Sequence, residues 1–365
     1  MLKTFKYRLN PNRTQRLALQ RTLDTCREIW NMALEQRKYQ RTHWTVQCRE
    51  LTELKAGFPE YKQVHVHVLQ NVVKKLQRSF ERMWELGSGF PRFKNAKRYR
   101  SFQFNNTGFS LAGRYLQLSK IGNVKVRLSR EIPEGVIKSL TVKQTVSGWY
   151  ACFAVDVSTQ PLPESDLAIG IDVGIENFAA LSDGTMIPNP RFYECGQAEL
   201  RRAQRKVARR KKGSNRRRKA VVLLRKVHER ITNRRQDFLH KTTTALVAKF
   251  GTIVVENLNV KGLAQGILSK QVHDASWSTF FNFLSYKAAD AGRKIVGVNC
   301  AYTSQTCPAC GTRKKKSLAE RKHVCSECGY TTHRDTAAAE VILGRSFPSN
   351  ATPLGEANIP VVVGV

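Results

Sequence analysis

Four cysteines in the last quarter of the chain have the side chains and the spacing to bind one metal ion. Cys307 and Cys310 form one CxxC knuckle, Cys325 and Cys328 form a second, and fourteen residues separate the two knuckles. Four thiolates at this spacing can close a tetrahedron around Zn²⁺. We therefore predict one structural zinc site.

Three acidic residues are predicted to lie at the ends of buried elements. Asp172 follows an apolar, strand-like run, Glu256 ends a second such run at 252–256, and Asp335 opens an alanine-rich helix seven residues after Cys328. Phosphodiester hydrolysis by two divalent ions needs carboxylates that bridge metals about 3.5–4 Å apart, and Mg²⁺ or Mn²⁺ binds such oxygen ligands. The order strand-Asp, strand-Glu, helix-Asp is that of an RNase H-like nuclease. These three acids are thus the predicted catalytic residues and the predicted ligands of two Mg²⁺ or Mn²⁺ ions.

Each acid taken alone has an ordinary structural explanation, because acids at strand ends often form turns. Other acids also compete for the site. Asp183 lies in a Ser-Asp-Gly turn, Asp274 is expected to cap the helix at 277–291, and Glu340 lies further along the last helix with an expected solvent role. Glu176 is close enough to Asp172 along the chain to be a reserve candidate.

The densest positive charge lies at 201–235, which contains seventeen Lys or Arg residues and one acid, Glu229. Like charges at helical spacing destabilise an isolated helix, and a phosphate backbone would offset this repulsion. We expect 213–215 to divide the segment into two helices on either side of a groove. A solvated helix face and a nuclear localisation signal are the alternatives. The predicted nucleic-acid contacts are Arg201, Arg202, Arg205, Arg209, Arg210, Lys211, Lys212, Arg216, Arg217 and Arg218.

Composition points to a nucleic-acid partner as well. The 365 residues include 62 Lys and Arg against 28 Asp and Glu, a formal charge of +34, and the length indicates two or three domains. No apolar run approaches twenty residues, and no signal-peptide or lipidation pattern is found. We expect a protein of the bacterial or archaeal cytosol that does not bind membranes. The remaining cysteines are expected to be reduced thiols; they are Cys26, Cys48, Cys152, Cys195 and Cys300.

The periodicity of apolar residues changes along the chain. A strand at 4–9 precedes helices that begin at Thr14 and continue at 64–86, and alternating patterns then predict further strands. One strand before the helices and several after them indicate a small barrel with a helical insertion. The later strands are predicted at 101–104, 115–118, 124–128, 137–146 and 149–157.

Taken together, these motifs make the sequence resemble the TnpB family, RNA-guided nucleases of bacterial and archaeal insertion sequences that are related to compact type V CRISPR effectors. The similarity covers nearly the whole chain. The motifs are YRLNP (7–11), GFPRFK (89–94), GIDVG (170–174), RRKKG (209–213), RQDFLH (235–240), VENL (255–258), TSQTCPACG (303–311) and HRD (333–335).

The resemblance implies a multidomain α/β and β fold. It implies an N-terminal wedge-type β-barrel with a helical recognition insertion, then an RNase H-like (RuvC) α/β domain that contains an inserted C4 zinc ribbon. The expected boundaries are 1–12 and 95–160 for the barrel, 13–94 for the insertion, 161–166 for a linker, 167–303 and 334–347 for the nuclease domain with basic helices at 197–250, 304–333 for the ribbon, and 348–365 for a disordered tail.

The resemblance also implies an activity: an RNA-guided endonuclease of a transposable element that cuts double-stranded DNA beside a short flanking motif. It implies that Asp172, Glu256 and Asp335 are catalytic and that the four cysteines bind zinc. A guide RNA from the transposon end is the implied partner, and a monomer within the ribonucleoprotein is favoured. Gln70 and Asn71 are candidate contacts to adenine in the flanking motif.

The chain departs from the family pattern at one position. The family usually has asparagine two positions after the last aspartate, where this chain has Ala337.

Three other functions are alternatives to an RNA-guided nuclease. A nuclease-inactive RNA-guided repressor would be expected to lose carboxylates, and a DDE-type transposase would also use three acids and two metals. A plain zinc-ribbon DNA-binding protein would need no acids.

Overall fold

The computed structural model describes residues 1–159, 161–317, 320–346 and 352–353. The chain divides into two compact units, Met1–Ser158 and Thr159–Val365. Each unit has its own hydrophobic core. The mixed α/β class predicted from the sequence is confirmed.

The first unit consists of three helices inserted into an antiparallel sheet. The elements are β1 (Leu2–Asn10), α1 (Arg13–Tyr39), α2 (Trp44–Gly57), α3 (Val66–Leu86), β2 (Ser101–Phe104), β3 (Phe109–Ala112), β4 (Tyr115–Leu118), β5 (Gly122–Arg127), β6 (Val136–Gln144) and β7 (Trp149–Asp156). β1 pairs with β7 and β5, so the strand before the helices is joined to strands that follow them. The sheet order is β2-β6-β7-β1-β5-β4-β3, and its end strands β2 and β3 are not paired with each other, which makes it a half-barrel.

Local sequence explains where the first helices begin and end. The side chain of Asn12 accepts a hydrogen bond from the Gln15 N–H at 2.8 Å, and Gln15 returns one to the Asn12 N–H at 3.0 Å. This capping box begins α1 at Arg13, one residue before the predicted start. α3 ends at Gly87, whose φ of 61° is the left-handed conformation that glycine adopts most easily.

The second unit contains a mixed sheet covered by helices. The elements are β8 (Ala168–Val173), β9 (Asn177–Leu181), β10 (Met186–Pro188), α4 (Phe192–Ala208), α5 (Asn215–Lys249), β11 (Thr252–Glu256), α6 (Val260–Leu263), α7 (Ser269–Ala275), α8 (Trp277–Ala291), β12 (Lys294–Val298), β13 (Lys322–Val324), β14 (Thr331–His333), α9 (Arg334–Gly344) and β15 (Thr352–Pro353). The sheet order is β10-β9-β8-β11-β12-β15; β8, β11 and β12 are parallel, and β9, β10 and β15 pair antiparallel with their neighbours.

Close contact between α9 and β8 depends on a glycine. A Cβ atom added at Gly170, in the middle of β8, would lie 2.1 Å from the carbonyl oxygen of Ala339 in α9. Only glycine allows this approach of helix to strand. The contact fixes the height of α9 above the sheet.

Segments at both ends of the second unit are bonded to the rest of that unit. The predicted linker at 161–166 is hydrogen-bonded to this unit, because Arg293 donates to the Pro163 carbonyl at 2.8 Å and Ser165 donates to the Lys249 carbonyl at 3.1 Å. The predicted tail at 348–365 lies outside the described residues except for β15, which pairs with β12. Among the described helices, none has the length and apolar character to cross a bilayer.

Candidate functional site

The sheet register brings Asp172 and Glu256 to the same edge. β8 and β11 run parallel with Ile171 opposite Val255, so the next residue of each strand is one of the two acids. Asp335 lies in the first turn of α9, which packs on β8. The structure therefore brings together the three acids that the sequence singled out.

Burial and neighbouring charges both act on the carboxyl of Asp172. Burial raises the pKa of its carboxyl well above the ordinary value, and the charges of Glu256 and Asp335 raise it further, whereas Arg334 lowers it. Three carboxylates that influence one another in this way repel when they are all ionised. A divalent cation among them would remove that repulsion.

Glu256 is held by a hydrogen bond that the sequence did not reveal. Burial raises the pKa of its carboxyl, while a hydrogen bond from the Thr303 hydroxyl at 2.5 Å and the charge of Arg345 lower it. Arg345 is itself fixed by a hydrogen bond to the Ala301 carbonyl at 2.9 Å. Thr303 is the first residue of the motif TSQTCPACG (303–311), and this motif is the sequence feature that could have indicated a role for Thr303 in the site.

The three acids do not form a compact ligand cluster of the kind that the cysteines form. Within the described ranges, only the four cysteines form a group of three or more His, Cys, Asp or Glu residues whose ligand atoms all lie within 4.8 Å of one another.

The four cysteines form a cluster with the dimensions of a zinc site. The Sγ atoms of Cys307 and Cys328 are 3.7 Å apart, and those of Cys310 and Cys325 are 3.6 Å apart. A tetrahedron with Zn–S distances of about 2.3 Å has edges of about 3.8 Å. The four sulfur atoms thus fit one Zn²⁺.

The cysteine knuckles are connected directly to α9. Gly311 and Gly329 end the two knuckles with φ of 77° and 70°, conformations that favour glycine. Tyr330 follows, and its hydroxyl donates to the two carboxylate oxygens of Glu340 at 2.8 and 2.7 Å. The solvent role expected for Glu340 is therefore wrong: Glu340 joins α9 to the cysteine knuckles.

Two of the other competing acids also have structural partners. Asp274 lies in α7, and its carboxylate accepts hydrogen bonds from the Tyr193 N–H at 2.9 Å and from Arg235 at 2.6 Å. It caps the first turn of α4, so the prediction that it caps α8 is wrong; its tertiary partner overrides its position in the sequence. Glu176 forms an ion pair with Arg321.

The basic segment forms a helical hairpin, as predicted. α4 and α5 are joined by a turn in which Gly213 has a φ of 84°, and Arg217 closes the turn by donating to the carbonyls of Val207 and Arg210 at 2.8 Å. A groove of about 540 Å³ on the hairpin has a basic lining. Its basic residues are Arg202, Arg205, Lys206 and Arg209.

The predicted nucleic-acid contacts fall in three places on this hairpin and one on α3. Arg201, Arg202 and Arg205 lie on α4, 209–212 lie in the turn, and 216–218 lie in the first turn of α5. On α3, the amide of Asn71 donates to the Gln103 carbonyl at 2.9 Å. A contact from Asn71 to DNA would therefore compete with a structural hydrogen bond.

Comparison with protein families divides the chain into three matched segments. Residues 150–266 match a family described as "Probable transposase", and 277–342 match the Cas12f1-like TNB domain. Residues 1–43 match a family described as a helix-turn-helix domain, although here they form β1 and α1. The first two matches cover most of the second unit.

Relatives match nearly the whole chain. A protein of Streptomyces pristinaespiralis with the provisional name RNA-guided DNA endonuclease is 35% identical, over 96% of this chain and 90% of the relative. The InsQ protein of Escherichia coli, with the same provisional name, is 30% identical over 94% and 92% of the two chains. A protein of Methanocaldococcus jannaschii named TnpB-like is 29% identical over 34% of this chain. This chain belongs to the TnpB family.

A solved structure supports the fold of this TnpB-family chain. Cas12f1, determined in complex with a single-guide RNA and target DNA, superposes with a TM-score of 0.60 over 92% of this chain and 83% of its own. At 13% identity, the likeness concerns the fold alone.

Ala337, where the family usually has asparagine, is buried in α9 and 1% exposed.

Proposed function

We propose that this protein is an RNA-guided DNA endonuclease. A bound guide RNA selects a double-stranded DNA target, and Asp172, Glu256 and Asp335 hold two Mg²⁺ or Mn²⁺ ions that support hydrolysis of the phosphodiester bond. The observation that carries the proposal is the partly buried carboxyl of Asp172, whose pKa is raised by desolvation and by the charges of the other two acids. Acids that destabilise one another in this way are typical of a functional site.

The protein side chains have distinct roles in this site. When bound, the divalent ions activate water and stabilise the leaving oxygen. Glu256 is oriented by the Thr303 hydroxyl, and the position of Asp335 is set by the packing of α9 on Gly170. The charge of Arg334, which lowers the pKa of Asp172, favours its ionised form.

The four cysteines are proposed to bind one structural zinc ion in a ribbon. Structural zinc contributes directly to folding, because the site does not exist in the unfolded chain. The ribbon ends in β14, which leads directly into α9, and Tyr330 also binds Glu340. Zinc would therefore help to hold the helix that carries Asp335.

The proposed nucleic-acid surfaces are the α4–α5 hairpin and the first unit. The basic groove of the hairpin suits a phosphate backbone, because contacts to phosphate give affinity without reading sequence. The half-barrel and α1–α3 are proposed as the wedge and recognition domains, which read the motif beside the target. A guide RNA from the transposon end and a monomeric protein in the complex complete the proposal, which implies action in the cytosol.

Two alternatives make different predictions. The family description "Probable transposase" would suit a DDE-type enzyme, which joins DNA ends as well as cutting them. A nuclease-inactive repressor would bind target DNA without cutting it. The names of the full-length relatives and the three acids favour cleavage guided by RNA.

Isosteric variants of the acids test the proposal. Asp172→Asn, Glu256→Gln and Asp335→Asn should each abolish cleavage and leave RNA and target binding nearly unchanged, because the acids bind metal and the basic surfaces bind phosphate. Asp237→Asn is the matched control, since Asp237 is 64% exposed and forms an ion pair with Lys241 on the same helix. Wild-type cleavage by the Asp335→Asn protein would refute the site.

Sequencing of the RNA that copurifies with the wild-type protein tests the guide. A defined RNA species, and cleavage of DNA that matches it without joining of ends, are expected. Joined products, or cleavage that does not depend on the RNA, would favour the transposase instead.

A further inference from the structure

The loop that follows α3 alternates aromatic and basic side chains. It reads Gly-Phe-Pro-Arg-Phe-Lys at 89–94, and 87–100 contains five basic residues and no acid. Phe90 and Phe93 are 48% and 47% exposed, and Trp84, near the end of α3, is 65% exposed. The rings of Trp84 and Phe90 both pack on buried Phe80, with centroids 5.8 and 5.5 Å from it. An exposed aromatic patch of this kind indicates a binding surface.

Hydrogen bonds from α1 hold this loop in place. The indole N–H of Trp30 donates to the Arg92 carbonyl at 3.1 Å. The amide of Asn31 donates to the Lys94 carbonyl at 3.0 Å and accepts from the Lys94 N–H at 2.8 Å. A loop fixed before binding loses little conformational entropy on binding, which favours affinity.

A cation already lies against one of the exposed rings. The Nζ atom of Lys38 is 4.5 Å from the centroid of Phe93, and Lys94 lies beside the same patch with its Nζ atom 5.0 Å from the centroid of the buried Trp30 ring. Rings that can stack on bases beside cations that can bind phosphates are the combination that recognises unpaired nucleotides.

We propose that Trp84, Phe90 and Phe93, together with Arg92 and Lys94, form a surface that binds unpaired nucleotides of the guide RNA. The inference rests on the proposed function, which supplies that RNA. Before the target DNA is opened, its bases are paired, so the RNA is the source of unpaired bases in the resting complex. Unpaired RNA bases are commonly bound by stacking on aromatic side chains.

Charge argues against a second copy of the chain as the occupant. In a twofold-symmetric dimer the same patch would face itself. The segment 87–100 contains five basic residues and no acid, so two copies of the patch placed face to face would repel each other. A polyanionic strand is favoured by the same charges.

Fluorescence of a base analogue tests stacking directly in the full-length protein. The probe is a short oligouridylate that carries one 2-aminopurine, whose fluorescence falls when the base stacks. The wild-type protein should quench it, and the Trp84→Ala/Phe90→Ala protein should lose the quenching and bind the probe at least about tenfold more weakly, because removing an aromatic platform costs about this much per stacked base. Binding of a fully paired RNA of the same length should change little.

Two further variants serve as controls. Tyr115→Ala removes an equally exposed aromatic ring, 53% exposed, on β4 of the same unit, and should leave quenching unchanged. Trp84→Phe keeps an aromatic ring and should retain most of the quenching, which keeps the test decisive if the alanine variant is unstable.

Three results would overturn the inference. Unchanged quenching in the double variant, or equal weakening for paired RNA, would exclude stacking on these rings. If the wild-type protein bound a DNA probe of the same base sequence as tightly as the RNA probe, and the double variant lost affinity for both equally, the surface would be assigned to a DNA strand. A changed oligomeric state in light scattering, with RNA binding unchanged, would assign it to self-association. None of these assays depends on cleavage, so the outcome is separate from that of the Asp335→Asn test.

Discussion

Gly170→Ala is expected to displace the helix that carries Asp335. A Cβ atom at this position would lie 2.1 Å from the Ala339 carbonyl oxygen and 2.8 Å from the Leu343 nitrogen, and real Cβ atoms do not come within 3.0 Å of such atoms. The gap between β8 and α9 must therefore widen by at least about 0.9 Å. Because β8 is paired on both sides, with β9 and β11, the helix rather than the strand should move.

The size of the effect follows from that displacement. A misplacement of about 1 Å in a catalytic group can reduce the rate about 100-fold. Overpacking of a core contact costs about 1–3 kcal/mol, and a unit of this size should lose about 2–4 °C in melting temperature per kcal/mol. We therefore expect cleavage to fall about 100-fold, with a small loss of stability and no loss of RNA or target binding.

The assay is single-turnover cleavage at saturating target, with parallel measurements of RNA binding, target binding and zinc content. Gly344→Ala is the matched control, because it lies on the same helix and its Cβ would meet nothing within 4 Å. Wild-type cleavage by a folded Gly170→Ala protein would show that the height of α9 does not control the chemistry. A loss of cleavage accompanied by equal loss of target binding would also refute the reasoning, because the displacement should affect only the chemical step.

Four other changes have defined outcomes. Cys325→Ser should lower zinc content, stability and cleavage together, measured by metal analysis and thermal melting, whereas Cys300→Ser, outside the cluster, should not. Tyr330→Phe, which removes only the hydroxyl bound to Glu340, should raise the Mg²⁺ concentration needed for half-maximal cleavage without loss of zinc; an unchanged Mg²⁺ titration would contradict a positioning role. Neutralising Arg209, Arg210, Lys211 and Lys212 together should weaken RNA binding whatever the guide sequence. It should also reduce the slope of log binding constant against log salt concentration by roughly one unit for each lost phosphate contact. An unchanged slope would show that these side chains form a solvated helix face. The folded-state pKa values of Asp172 and Glu256 are raised, so the stability that these acids contribute is present below their ordinary values of 3.8 and 4.5 and is lost as pH rises through the raised values. In Mg²⁺-free buffer, Asp172→Asn should therefore raise the melting temperature at neutral pH and leave it unchanged at pH 3. Equal melting temperatures of the variant and the wild-type protein at neutral pH would contradict this.

The sequence predicted elements whose signals are local. The start of α1 follows from the Asn12 cap, the end of α3 from Gly87, and the break in the basic segment from Gly213. β3, Phe109–Ala112, was missed although it is as long as β2 and β4, which were predicted; unlike those two strands it has no fully buried residue, so its apolar signal is weaker. The half-barrel could not be distinguished from a closed barrel, because closure depends on whether β2 and β3 meet, and no local pattern records that.

The same distinction between local and distant signals explains what was found in the candidate site. Asp172, Glu256 and Asp335 were found because each lies within one residue of the end or the start of an element, and parallel pairing of β8 with β11 brings two of these ends together. Thr303 binds Glu256 across 47 residues of sequence, and Asp274 binds Tyr193 across 81, so neither partner could be read from its neighbours. A carboxylate at the end of a strand is therefore predictable from that strand, whereas the hydroxyl that orients it becomes visible only once the sheet and the cysteine-bearing segment have folded together.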